Sequence, residues 1–92
     1  MPRPIDPKYQ IEDNQIVKVI TGEAIPLNEP LILFRARDRH ALAMLHYYRL
    51  VCVSDECTDF HIAGIDNRIK AFQEFARQHP ESMKQPGCTR GL

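Results

Sequence analysis

The sequence predicts an α+β fold, a three-stranded antiparallel sheet followed by two helices in the order βββαα, as one small domain. Three observations carry that expectation. Ile62, Ile65, Ile69, Phe72 and Ala76 recur at alternating intervals of three and four residues, the period of a helix with one buried face. Asp13-Asn14, residue types that tolerate tight-turn dihedrals, stand between two short runs of strand-like composition. Leu31-Ile32-Leu33-Phe34 follows Pro30, is apolar throughout and is too short for a buried helix, so it reads as a strand with protein on both faces.

Residues 1–7 contain three prolines and are expected to be an extended, poorly ordered lead-in to a domain spanning residues 8–79. Tyr9-Gln10-Ile11 and residues 15–20 form the expected hairpin. Alternation in its second strand puts Ile16 and Ile20 on one face and Val17 and Val19 on the other. Thr21-Gly22-Glu23 opens a connection that Pro26 and Pro30 keep irregular. The third strand is expected over residues 31–36, with Leu31, Leu33, Arg35 and Arg37 sharing a side.

The first helix is expected over about 39–53, capped by the carboxylate of Asp38 and packed through Ala41, Leu42, Leu45, Tyr48 and Cys52. After a polar link at 54–58, the second helix runs from about Asp59 to Gln78, where Pro80 stops it. Gly64 inside it costs about 1 kcal/mol relative to alanine, which points to a close approach or a weak first turn. Residues 80–92 lack periodicity and are expected to be a mobile tail.

Twelve basic and twelve acidic side chains cancel in 92 residues, which argues against a protein that binds nucleic acid through bulk charge. No run approaches the apolar length of a membrane span, and the first ten residues lack the apolar core of a signal peptide, so an intracellular protein with reduced thiols is expected. There is no glycine-rich phosphate loop, no Gly-x-Ser-x-Gly turn and no His-Glu-x-x-His helix. Ser54 and Ser82 have no evident oxyanion partner, and Asp55, Glu56 and Asp59 read as an acidic helix start. No catalytic residue and no enzymatic activity are expected.

Cys52, Cys57 and His61 are spaced Cys-x4-Cys-x3-His, with Cys88 as a further thiol, a pattern that admits a structural zinc. Against it, Cys52 lies on the apolar stripe and Cys88 in the expected tail. Structural thiols, with no metal and no cofactor, are the expectation.

Arg35, Arg37 and Arg39 stand two residues apart, roughly 6.5–7 Å in a strand, an interval comparable to the phosphate repeat of an extended nucleic-acid strand. With Arg49 they make residues 35–49 the most basic window, against a single Asp38. Two readings stand. The arginines are solvated or paired internally, with Glu23, Glu29 or the acids near residue 56, or they contact nucleic acid or an acidic protein face. The candidate contact residues are Arg35, Arg37, Arg39, His40, Tyr47 and Arg49, with Leu31 and Leu33 as an apolar supplement on a sheet face that needs a cover.

The segment Glu-Pro-Leu-Ile-Leu-Phe-Arg-Ala-Arg-Asp-Arg-His-Ala, preceded by a short hairpin and Ile-Pro-Leu-Asn, resembles small phage and prophage proteins. In length, element order and neutral charge the chain is similar to the type I-F anti-CRISPR proteins. That resemblance implies a non-enzymatic inhibitor in the host bacterial cytoplasm. It would bind Cas subunits of the CRISPR RNA-guided surveillance (Csy) complex, with the guide RNA as a further contact, and block target DNA hybridisation. The alternatives are a homodimeric phage interaction module and a small zinc-stabilised nucleic-acid adaptor.

Overall fold

A computed structural model describes residues 2–84 of the chain. Most of the expected tail, Cys88 included, lies outside the described residues. The chain divides into two compact units, residues 1–32 and residues 33–92.

The first unit carries a three-stranded antiparallel sheet, β1 (Arg3–Pro4), β2 (Tyr9–Glu12) and β3 (Gln15–Lys18), in that spatial order. Asp13 and Asn14 adopt φ of 51° and 64°, the left-handed pair that a two-residue hairpin turn requires, and they set the register Glu12 to Gln15 and Tyr9 to Lys18. β3 ends at Lys18, earlier than expected. Val19 and Ile20 pass into an exposed turn that closes on Gly22, whose φ of 73° favours a residue without a Cβ and whose amide donates to the Lys18 carbonyl at 2.8 Å. Val17 is the buried hydrophobic residue of this unit.

The expected element order is met, but the membership of the sheet differs in two places. Arg3 and Pro4, read as lead-in, pair with Ile11 and Gln10. The turn between β1 and β2 is made by the Asp6 carboxylate, which accepts from the Lys8 and Tyr9 amides at 2.8 Å each; Pro4, which lacks an amide proton, is tolerated because β1 is an edge. Residues 31–36, read as the third strand, form none. The free edge of β3 is instead met by the chain just after Gly22: Lys18 donates to the Glu23 carbonyl at 2.9 Å, Ile25 to the Ile16 carbonyl at 2.8 Å, and Ala24 bridges Val17. That nearer segment closes a shorter loop and occupies the groups the later run would have needed.

The second unit is a helical hairpin, α1 (Arg39–Ser54) and α2 (Asp59–Gln78), followed by a 3-10 turn at Pro80–Ser82. Asp38 caps α1 as its sequence position predicts, accepting from the His40 amide at 2.8 Å. Thr58 caps α2, accepting from the His61 amide at 3.2 Å, and Asp59 adds favourable charge in the first turn. Cys52, Ile65 and Ile69 form the buried core, with Leu42, Leu45 and Ile62 packed around it; Ala41 is fully buried. Phe72 and Ala76 are half-buried, as their stripe implies. No described helix is long and apolar enough to cross a membrane.

Two expectations about the helices are met only in part. Tyr48, placed on the packing stripe, is 50% exposed and leans its ring edge on His61. It sits at the margin of the Ala41, Leu45 and Cys52 stripe, where it meets α2 through His61 without entering the buried cluster. Gly64 marks no close approach, because a Cβ there would meet nothing within 4 Å. The start of the expected tail also takes regular structure. Lys84 bridges Asp38 in parallel, donating to the Arg37 carbonyl at 2.7 Å and accepting from the Arg39 amide at 2.8 Å. The chain leaving α2 is thereby tied to the chain entering α1.

Candidate functional site

The arginine row is built on that tie. Ala36 and Arg37 form a turn, closed by the Asp38 amide donating to the Arg35 carbonyl at 3.0 Å, and Arg39 is the first residue of α1. The strand-based phosphate ladder therefore does not persist: the three arginines fan out from a turn and a helix start, on a backbone fixed by the Asp38 cap and the Lys84 bridge. All three are exposed, and among the described residues none of their guanidinium groups has a side-chain partner. His40 is half-exposed beside them, its Nδ1 3.7 Å from the capping Asp38 carboxylate.

Arg49 is placed differently. Its Nε donates to Asp66 Oδ1 at 2.5 Å and its Nη2 lies 3.4 Å from Oδ2, a fork that clasps α1 to α2. The Arg49 hydrogen bond holds the Asp66 carboxyl below its usual range against the opposing cost of desolvation, and the charges of Arg49 and Lys70 add to it. The structure separates Arg49 from the row and gives it an internal partner.

Tyr47 is 63% exposed on α1, as expected. With Met44 and Val51 it forms an exposed apolar stripe at helical spacing. Leu31 and Leu33 are exposed and lie outside any strand or helix, Leu31 in the first unit and Leu33 in the second. They do not form the sheet face that the sequence suggested.

The link between α1 and α2 brings together a group that sequence reasoning named and set aside. Glu56 takes a left-handed φ of 58°, the Glu56 amide donates to the Val53 carbonyl at 3.1 Å, and the Cys57 amide to the Cys52 carbonyl at 3.0 Å. This αL cap characteristically brings its two flanking side chains into contact, and here both are cysteines. The Thr58 cap then turns His61 toward them. One ligand atom each of Cys52, Cys57 and His61 lie within 4.8 Å of one another, and the Tyr48 hydroxyl lies 3.2 Å from His61 Nε2. The signal that could have found this was the cap itself, since Cys52 can be both a core residue and a cap neighbour.

Comparison of the chain with protein-family models, curated proteins and solved structures returns no match.

Proposed function

We propose that the chain is a non-enzymatic binding protein that engages a larger assembly through the Arg35, Arg37, Arg39 and His40 end of its helical unit. The observation that carries this reading is three exposed guanidinium groups that have no side-chain partner among the described residues, on a backbone pinned at both sides. Charge held on a fixed frame loses little freedom on docking, and arginine forks fit phosphate or carboxylate oxygens. Together with the resemblance of residues 29–41, this favours an inhibitor acting in the host bacterial cytoplasm. Its target is the type I-F surveillance complex, whose Cas subunits and guide phosphates it contacts to block DNA hybridisation.

Pull-down with that complex followed by a target-DNA binding assay tests the assignment. Retention of the complex and loss of DNA binding are expected; unimpeded DNA binding at saturating protein rejects the target. Replacing Arg35, Arg37 and Arg39 together by alanine tests the surface. If the three meet single-stranded phosphate, the slope of log affinity against log salt flattens by about 2.

A second reading, self-association, is favoured by the exposed Met44, Tyr47 and Val51 stripe. Light scattering across concentrations decides it, since a constant monomer mass removes it.

A further inference from the structure

We infer that Cys52, Cys57 and His61 form a thiolate and imidazole site for a zinc-class divalent cation that clips the junction of α1 and α2. The two cysteines are presented by the C-cap of α1 and the histidine by the N-cap of α2, so three donors from two independent local structures converge. A contact between two cap side chains needs no third member, and an apolar pair would make it as well. The imidazole is what distinguishes this junction from an ordinary cap.

The donor set suits a tetrahedral, borderline-soft ion, with two sulfurs and one nitrogen as protein ligands and water in the fourth position. Bond lengths of that kind place ligand atoms about 3.5–3.8 Å apart, so the 4.8 Å grouping needs only a rotamer-scale contraction. The acidic side chains favour the same ion, while the two helix ends that meet here, the C-terminus of α1 and the N-terminus of α2, oppose each other. Residues 54–60 carry Asp55, Glu56 and Asp59 and no lysine or arginine. A cation taken at Nδ1 would leave Nε2–H donating to the Tyr48 hydroxyl, the outer partner that histidine ligands commonly use to fix their tautomer. On binding, each thiol that becomes a ligand gives up its proton to solvent, and the sulfur lone pair forms the bond to the metal.

The site stands at the opposite end of α1 from the arginine row, about 20 Å of helix from Arg39 to Cys52, so its success or failure is independent of the proposed function.

Cobalt(II) titration of the reduced full-length protein is the test. The expected result is a thiolate-to-cobalt charge-transfer band with tetrahedral ligand-field absorption, saturating at one ion per chain, displaced by zinc and accompanied by proton release. Cys57→Ser and His61→Asn should each abolish the tetrahedral spectrum. Both sit at the link or the first turn of α2, outside the Ile65 and Ile69 core, and retained helical circular dichroism shows that the variants fold. Tyr48→Phe should weaken binding roughly 10-fold while keeping the spectrum, and Cys88→Ser should leave the stoichiometry unchanged. The inference is overturned by absence of the band in the reduced wild-type chain, by wild-type affinity in folded His61→Asn, or by loss of the site in Cys88→Ser alone.

Discussion

The two units of this chain are held together in different ways. Residues 1–32 form a sheet whose order comes from main-chain hydrogen bonds and turn dihedrals, with Val17 as its buried hydrophobic residue. Residues 33–84 form a helical hairpin with a contiguous apolar cluster, a capped link and a bridge joining its open ends. Both stretches contain ample aliphatic residues, so composition does not explain the contrast. Spacing does: a 3.6-residue period gathers Leu42, Leu45, Cys52, Ile62, Ile65 and Ile69 between two helices, whereas alternation in four-residue strands divides the apolar residues between two faces.

The most severe way to break that contrast is to empty the helical cluster. Ile69→Ala should destabilise the helical unit by about 2–5 kcal/mol, read as a lower urea midpoint in far-ultraviolet circular dichroism. In the sheet, Val17→Ala should cost at most about 1.5–3 kcal/mol, because among the described residues Val17 belongs to no buried cluster like the one in the helical unit. Amide exchange resolves the two effects: loss of protection confined to residues 9–18 is expected, and equal loss in α1 and α2 would show that the units share one cooperative transition.

Gly64→Ala sharpens the comparison from the other side. With open space at its Cβ and ordinary helical geometry, alanine should raise stability by about 0.5–1 kcal/mol, measured by the same urea titration. A decrease would mean that a partner approaches there.

Acid should weaken the helical unit selectively. The Asp66 and Glu74 carboxyls lie below their ordinary range because Arg49 and Arg77 hydrogen-bond to them. In the unfolded chain their pKa values return upward, so the contribution is present above the unfolded values and is lost as pH falls through the folded ones. The urea midpoint should drop below about pH 4, and Asp66→Asn with Glu74→Gln should flatten the drop. An unchanged acid profile in that double variant would assign the drop to other groups.

The smallest effect on stability is expected from Arg35, Arg37 and Arg39 together replaced by alanine, within about 0.5 kcal/mol of the parent, since these side chains are exposed and have no side-chain partner among the described residues. A larger loss would mean that the row serves the fold.

Local signals were legible in the sequence to the residue or nearly so. Asp13-Asn14 specified the hairpin, Asp38 the start of α1, Pro80 the end of α2, and the isoleucine period the buried face. Leu31–Phe34 was misleading because an all-apolar run states a preference for burial without naming a neighbour. Arg49 looked like its basic neighbours because Asp66 lies seventeen residues away and only helix pairing brings it near. The cysteine and histidine spacing was visible, yet Cys52 was read for its place on a stripe rather than for its place in a cap.

By itself, the amino-acid order determined where helices begin and end and where the chain reverses, since caps, turn dihedrals and helical period act within a few residues. Tertiary structure decided which segment completes the edge of β3, which arginine is consumed by a carboxylate and which donors converge at the helix link. Each of those outcomes is a competition among distant groups for one partner, and it is settled by what the folded chain brings within a few ångströms.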